Sequence, residues 1–324
     1  MANIAITSQC NLNCSYCFAQ EEYKAGANSV GHMPLTIYEE ALDFIMRSDI
    51  KQIRILGGEP TLHPDFIPYL ELALKTGQPV RLFSNGLMPE KVMEFISEVP
   101  DEKINIILNI THLAEDSIEL QSKLERTLNQ LNQKIMLGFN IFKKDMKLDL
   151  LFDIIRNYNL KKMIRLGLAH PCIGYNNRYL LPKNYFLIGQ KIADFAREAQ
   201  KQSVKINLDC GFVPCMFNGE DLEALQLDTA LGTHCQPIPD ILPDGSIVPC
   251  YSLSGMDRKK MDSALSADTV RAQFQGTIPE YSGAGIFTIC SICEYKHNGL
   301  CSGGCTAQKI LRFHSLIKSA INIA

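Results

Sequence analysis

Short apolar runs alternate with helical patterns through the first two-thirds of the chain. "ANIAIT" (2–7) reads as a strand. "LTIYEEALDFIMRS" (35–48) follows with apolar residues at helical spacing, and Thr36 and Glu39 are spaced as a capping box at its start. The alternation then repeats: strand "QIRIL" and helix "PDFIPYLELALK", "VRLFS" and "PEKVMEFISEV", "KINIILNI" and "AEDSIELQSKLERTLNQL", "KIMLGFNIF" and "KLDLLFDIIRNY", "KKMIRLGLA" and "NYFLIGQKIADFAREAQK". Six such units in series predict parallel strands joined by right-handed helical crossovers. They would close most of a barrel; the pattern alone also leaves a flat doubly wound sheet open.

After "VKINLDC" the character changes. From about Gly211 the chain is rich in Gly, Pro and Cys, "PDGSIVPC" reads as a turn and a strand, and "TAQKILRFHSLIKSAI" has helical spacing. The expected organisation is residues 1–205 as the α/β part, 206–234 as a bridge, and 235–324 as a small Cys-rich part.

Composition narrows the function classes. The 324 residues are 46% hydrophobic and 21% charged, ordinary for a globular protein, and 32 basic against 35 acidic residues leave no surplus to bind nucleic acid. No apolar run approaches the ~20 residues of a membrane helix, and "MANIAITSQC" has no basic segment before an apolar block, so no signal peptide is expected. A cytoplasmic location follows as an expectation.

Twelve cysteines are the anomaly. In a reducing compartment they are better metal ligands or catalytic groups than disulfides. Cys10, Cys14 and Cys17 sit together in "SQCNLNCSYCF"; Cys210, Cys215, Cys235, Cys250, Cys290, Cys293, Cys301 and Cys305 crowd the end; Cys172 stands alone. Thiolates bind zinc or iron–sulfur clusters. The N-terminal triplet directly follows the first strand, so it lies at the C-terminal end of the predicted parallel sheet, where α/β enzymes keep their active sites. A cubane held by three cysteines leaves one iron open to a small molecule; a zinc knuckle with a distant fourth ligand is the alternative.

The spacing C-x3-C-x2-C, with Tyr16 before the last cysteine, resembles the radical S-adenosylmethionine (SAM) superfamily. "GGEP" (Gly57, Gly58, Glu59, Pro60) after the second strand, "SNG" (Ser84, Asn85, Gly86) after the third, Asn109 ending the fourth, Asn140 late on the fifth and Arg165 on the sixth fall at matching places. The resemblance covers about residues 3–205. It implies a partial (β/α)6 TIM-like barrel whose Cys10, Cys14 and Cys17 hold a 4Fe–4S cluster. The open iron would bind SAM, and an electron from a flavodoxin- or ferredoxin-type donor would cleave it to a 5′-deoxyadenosyl radical. Tyr16 would lie near the adenine. Backbone at Gly57 and Gly58, with the Glu59 carboxylate, would receive the SAM ammonium group, and the strand-end residues would complete the SAM site.

The C-terminal pattern also resembles a known extension. Cys235 and Cys250 give C-x9-G-x4-C through Gly245, and Cys290, Cys293, Cys301 and Cys305 give C-x2-C-x7-C-x3-C. This is similar to the SPASM extension of radical SAM enzymes, with a short hairpin, a helix and auxiliary 4Fe–4S clusters; zinc ribbons fit C-x2-C equally well. Two departures stand out: seven residues rather than five separate Cys293 from Cys301, and no closing cysteine follows Cys305. By resemblance the first auxiliary cluster takes Cys235, Cys250 and Cys305 with Cys215 or Cys210 as its fourth ligand, and Cys215 is the assignment adopted. The second takes Cys290, Cys293 and Cys301 with its last position unfilled or held by another group, for which His297 and His314 are candidates. A shorter "twitch" scheme has one cluster on Cys235, Cys250, Cys290 and Cys293.

Around the barrel mouth, Cys210 is a ligand or a hydrogen-atom donor, Cys172 a second candidate donor, and Asp209 a candidate acid/base; His170 and Tyr175 share the Cys172 loop. The resemblance implies hydrogen-atom abstraction from a ribosomally made peptide, giving a crosslink, an epimer or an oxidised side chain. Because the chain starts at the barrel, a separate leader-recognition protein or a short substrate is expected. The alternative is a radical dehydrogenase or rearrangement enzyme for a sugar or cyclitol; further off stands a non-catalytic zinc-binding protein.

Overall fold

A computed structural model describes residues 1–19, 31–111, 118–228, 233–236, 238–277, 281 and 283–321. Six βα units run in order: β1 (Asn3–Ala5) and α1 (Leu35–Arg47), β2 (Ile53–Leu56) and α2 (Phe66–Lys75), β3 (Val80–Ser84) and α3 (Glu90–Glu98), β4 (Ile104–Asn109) and α4 (Ile118–Gln130), β5 (Ile135–Ile141) and α5 (Leu150–Tyr158), β6 (Met163–Leu168) and α6 (Tyr185–Lys201). Strand β7 (Lys205–Leu208) completes the series, and each strand from β1 to β7 pairs in parallel with the next. All seven therefore end at one rim.

The strands alternate in burial, and the alternation builds the barrel. In β3, Val80, Leu82 and Ser84 are buried while Arg81 and Phe83 are half-buried; in β2 Ile53 and Ile55 are buried and Arg54 is not. The buried set packs under the helices in one apolar core that includes Phe44, Phe66, Leu137 and Phe139. Each such side chain contributes about 1.5–3 kcal/mol. The opposite set carries Arg54, Arg81 and Arg165; burial first, and then the charges of Arg81 and Arg165, weaken the hold of Arg54 on its proton, and burial followed by Arg165 does the same to Arg81. The inner face is thus polar and partly open, unlike the packed interior of a closed eight-stranded barrel.

Helix α1 corrects one expectation. It starts at Leu35 with Pro34 at its N-cap and no side-chain cap, so Thr36 and Glu39 form no capping box. The fixed φ of Pro34 sets the first turn, and its carbonyl takes the Tyr38 N–H.

Past β7, helix α7 (Gly219–Asp228) precedes β8 (Asp240–Ile241), β9 (Ser246–Val248) and β10 (Lys259–Lys260). The β8–β9–β10 meander is antiparallel, and β8 pairs in parallel with β1, so one sheet runs β10-β9-β8-β1-β2-β3-β4-β5-β6-β7. Helix α8 (Ala267–Thr277) docks against the barrel's first unit: Arg47 donates to the Leu265 and Asp262 carbonyls, and the Ala267 N–H to Ser48. Helix α9 (Thr306–Ile321) comes last. Among the described residues no helix is long and apolar enough to cross a membrane.

Candidate functional site

The segment after β1 carries the first three cysteines out over the rim. Cys10 is exposed, Cys14 and Cys17 half-buried, and the Cys17 N–H closes a turn onto the Cys14 carbonyl at 3.0 Å. The Leu12 N–H points at Cys10 Sγ (3.4 Å), as does Asn85 Nδ2 (3.8 Å), which also holds Asn11 Oδ1 at 2.8 Å. Three thiols on a short loop with N–H groups aimed at sulfur suit a thiolate-bound cluster with one iron left for a further ligand.

The GGEP turn clamps this loop. Gly58 N–H donates to Thr7 O (2.8 Å) and Glu59 N–H to Gln9 O (2.7 Å). A Cβ on Gly57 would sit 2.5 Å from Thr7 O, and one on Gly58 2.2 Å from Gln9 O, so only glycine permits the approach. Glu59, the residue expected to receive the SAM ammonium group, turns its carboxylate inward. It is fully buried, and its carboxylate accepts from Thr61 N–H and Oγ1, Ser84 Oγ and the Asn85 N–H at 2.6–3.2 Å. Burial pushes its pKa up, and those hydrogen bonds oppose the shift. The Glu59 carboxylate and Ser84 tie two rim loops together, Pro60 opens the short 3-10 turn Pro60–Leu62, and the Asn85 side chain reaches the cysteine loop. Tyr16, expected near the adenine, is buried and stacked on Phe142, ring centroids 4.9 Å apart.

Further round the rim the polar residues form a stair. Asn109 is paired in register with Gly138, and Asn140 with Gly167. The Oδ1 of each asparagine lies over the glycine beside it, where a Cβ would come within 2.6 Å and 2.7 Å. Asn109 Oδ1 is buried with no hydrogen-bond partner. Arg165, beside Gly138, lies over the Phe83 ring and pairs with Asp209 just past β7. The candidate acid/base Asp209 is therefore an ion-pair partner of a candidate SAM-binding residue.

The C-terminal cysteines fall into two sets. Cys250 has Cys235, Cys305 and Cys210 as electrostatic neighbours; burial first, and then these thiols, pushes its pKa well up. Cys305 stands at the N-terminus of α9, where the Ala307 and Gln308 N–H groups point at its sulfur, and Thr306 Oγ1 lies 3.3 Å from Cys235 Sγ. Such N–H groups and the helix dipole favour thiolate. Buried Lys309 lies near Cys235, Cys305 and Cys301 and donates to the Ser302 carbonyl at 2.5 Å. The second set is Cys215, Cys290, Cys293 and Cys301, which line one cavity walled by Phe287 and Tyr295. Partial burial, then Cys290, Cys301 and Cys293, pushes the Cys215 thiol up to about 11. Bound metal cations reverse this repulsion.

This grouping corrects the expected one: Cys210, not Cys215, stands with Cys235, Cys250 and Cys305. Sequence spacing could not separate Cys210 from Cys215. His297 is no substitute ligand, since its Nε2 faces the Ser291 carbonyl at 3.0 Å, and the His314 side chain lies outside the described residues. Cys172 is buried, its Sγ 3.1 Å from the Tyr251 carbonyl, so it packs between barrel and C-terminal part instead of facing the mouth. Among the described residues no three His, Cys, Asp or Glu side chains converge on the point a lone metal ion would occupy. His170, in the same loop as Cys172, is buried with Nε2 3.3 Å from the Cys210 carbonyl.

The profile of the radical SAM superfamily matches residues 4–147. A GTP 3′,8-cyclase of Aliarcobacter butzleri is 26% identical over 144 residues, 43% of either chain. A probable GTP 3′,8-cyclase of Archaeoglobus fulgidus is 27% identical over 265 residues, 76% of this chain and 84% of its own. The chain spans about half the length of several curated relatives that it matches, 43%, 57% and 44% in three of them. Among solved structures, Streptococcus suis SuiB bound to S-adenosylmethionine superposes with a TM-score of 0.68 at 15% identity, covering 94% of this chain and 72% of SuiB. AnSMEcpe with bound AdoMet and Cp18Cys peptide gives 0.66 at 18% identity, covering 99% of both chains. Fold and rim thus define the class: the chain carries a radical SAM domain. Over residues 4–147 it is similar to the radical SAM superfamily, and the cofactors that go with such a domain are SAM and a 4Fe–4S cluster.

Proposed function

We propose that this protein is a radical SAM enzyme acting on a peptide, with residues 1–205 as the catalytic barrel, 206–234 as a bridge and 235–324 as a SPASM-like part holding auxiliary 4Fe–4S clusters. The observation that carries the reading is the gathering of Cys10, Cys14, Cys17, the GGEP clamp, Asn85, Asn109, Asn140 and Arg165 at one rim. When bound, the cluster and SAM supply a 5′-deoxyadenosyl radical able to take a hydrogen atom from an unactivated C–H bond. The residues do the rest: the three thiols hold the cluster, the Gly57–Gly58 contact fixes their loop, and the asparagine stair with Arg165 offers polar partners to a bound nucleoside. The peptide assignment draws support from the two sets of four cysteines and from the likeness to SuiB, solved with its precursor peptide SuiA, and to anSMEcpe, solved with the Cp18Cys peptide. A flavodoxin- or ferredoxin-type donor supplies the electron, and a separate recognition protein serves any leader peptide.

A second reading has its own observation. The inner face carries Arg54, Arg81 and Arg165, a cationic lining suited to a phosphorylated small molecule, and the sequence relatives are named GTP 3′,8-cyclases.

Two experiments decide. Under anaerobic conditions with dithionite, the reconstituted protein is expected to form 5′-deoxyadenosine from SAM, and replacing Cys10, Cys14 and Cys17 by Ala to abolish it; persistence in the triple variant refutes the ligand assignment. With deuterated candidates, label is expected in 5′-deoxyadenosine from a peptide encoded beside the gene. Label from GTP instead would establish the second reading.

A further inference from the structure

Residues 211–217 are buried with one exception. Phe212, Val213, Met216 and Phe217 are each at most 6% exposed, whereas Cys215 is exposed. The cause is local. Pro214 opens a 3-10 turn over Pro214–Met216, and the Met216 backbone seats on Gly189 of α6, where a Cβ would come within 1.9 Å of the Met216 carbonyl oxygen. With both neighbours anchored inward, the Cys215 side chain is turned out. It opens onto the cavity that Cys290, Cys293 and Cys301 line from the other side. Cys290 and Cys301 are themselves 8% exposed, and the Gly303 N–H points at Cys301 Sγ from 3.2 Å.

We propose that Cys215 is the fourth ligand of the second auxiliary cluster. The site that lacks a closing cysteine downstream takes one from upstream, on the turn after β7. With Cys210 in the first set, the segment Cys210–Cys215 then ties both auxiliary clusters to the end of one barrel strand. Each cluster has four thiolates and no open iron, which suits electron transfer or support rather than substrate binding. The inference rests on the reading that these cysteines hold iron–sulfur clusters.

The test is a cycle of iron counts and EPR spectra on the full chain, reconstituted anaerobically with iron and sulfide. The unaltered protein should hold ~12 irons, four in each of three cubes. Cys215→Ala and Cys290→Ala should each lose about four irons, or about one with the EPR signal of a three-iron cluster. The double variant Cys215→Ala/Cys290→Ala should lose no more than one cluster, whereas Cys215→Ala/Cys250→Ala should lose two. Cys215→Ser, which keeps the size of the side chain, guards against misfolding and should alter the EPR spectrum of one reduced cluster alone. An unaltered iron count and spectrum in Cys215→Ala, or losses that add with Cys290→Ala but not with Cys250→Ala, would overturn the assignment. An unaltered protein with only ~4 irons would instead overturn the auxiliary-cluster reading itself.

Discussion

At the scale of single residues, Glu59 separates holding a site together from touching its ligand. Its carboxylate is the shared acceptor for Thr61, Ser84 and the Asn85 N–H. Glu59→Ala leaves those donors buried without a partner, so a stability loss of roughly 3 kcal/mol is expected, read as a lower denaturant midpoint at unchanged slope. If the carboxylate instead met the SAM ammonium group, Glu59→Gln would weaken SAM binding and leave the midpoint near its original value. The letters GGEP announce the turn because glycine spacing is a local signal. They do not announce which way the carboxylate faces, since that depends on Ser84 and Asn85, 25 and 26 residues away. The cysteines divide the same way. Cys10, Cys14 and Cys17 are legible because their loop is contiguous, whereas Cys210 and Cys215 were sorted only by the clamp of Met216 on Gly189.

At the scale of elements, the six βα units follow from patterning. Alternating runs such as "VRLFS" bury one face under amphipathic helices, so period alone locates them. Helix α8 escaped because its apolar signal is little more than Val270 and Phe274, and the useful cue was Ser266, whose Oγ takes the Thr269 N–H at 3.3 Å as a helix cap. The pairing of β8 with β1 was also hidden, since it joins two- and three-residue strands 237 positions apart. That junction contains Asp240, buried and receiving Asn3 Nδ2 at 2.6 Å, with burial pushing its pKa up to about 7. Because the folded-state pKa lies above the ordinary 3.8, the native protein holds a proton that the unfolded chain has lost. Asp240 therefore favours folding most at low pH, and its contribution falls as pH rises from about 4 to about 7, by about 1.4 kcal/mol per unit of pKa difference. Asp240→Asn removes the titration and offers a donor to Asn3 Oδ1, which is buried without a partner. The variant should gain stability relative to the parent across that window and level off above it. A difference independent of pH in chemical denaturation would rule out the shifted carboxyl.

At the scale of the whole molecule, continuity of sheet and core decides how the chain unfolds. The barrel alone would leave β1 as an open edge, with the backbone groups of Asn3 and Ile4 that now pair with Asp240 and Ile241 facing water. The main apolar core crosses the same line: it contains Ala2 and Ile4 with Val270, Phe274, Ile286 and Cys301. Two parts that share a sheet and a core cannot unfold independently without baring both, so the metal-free protein should unfold in one cooperative step. With 11 tyrosines and no tryptophan, tyrosine fluorescence and far-UV circular dichroism are the natural pair of probes, and their midpoints should coincide. A chain ending at residue 234 should expose the β1 edge and run as aggregates in size-exclusion chromatography. Two resolved transitions, together with a monodisperse folded 1–234 fragment, would mean that the C-terminal part is an appendage and that the shared sheet contributes little to holding the barrel closed.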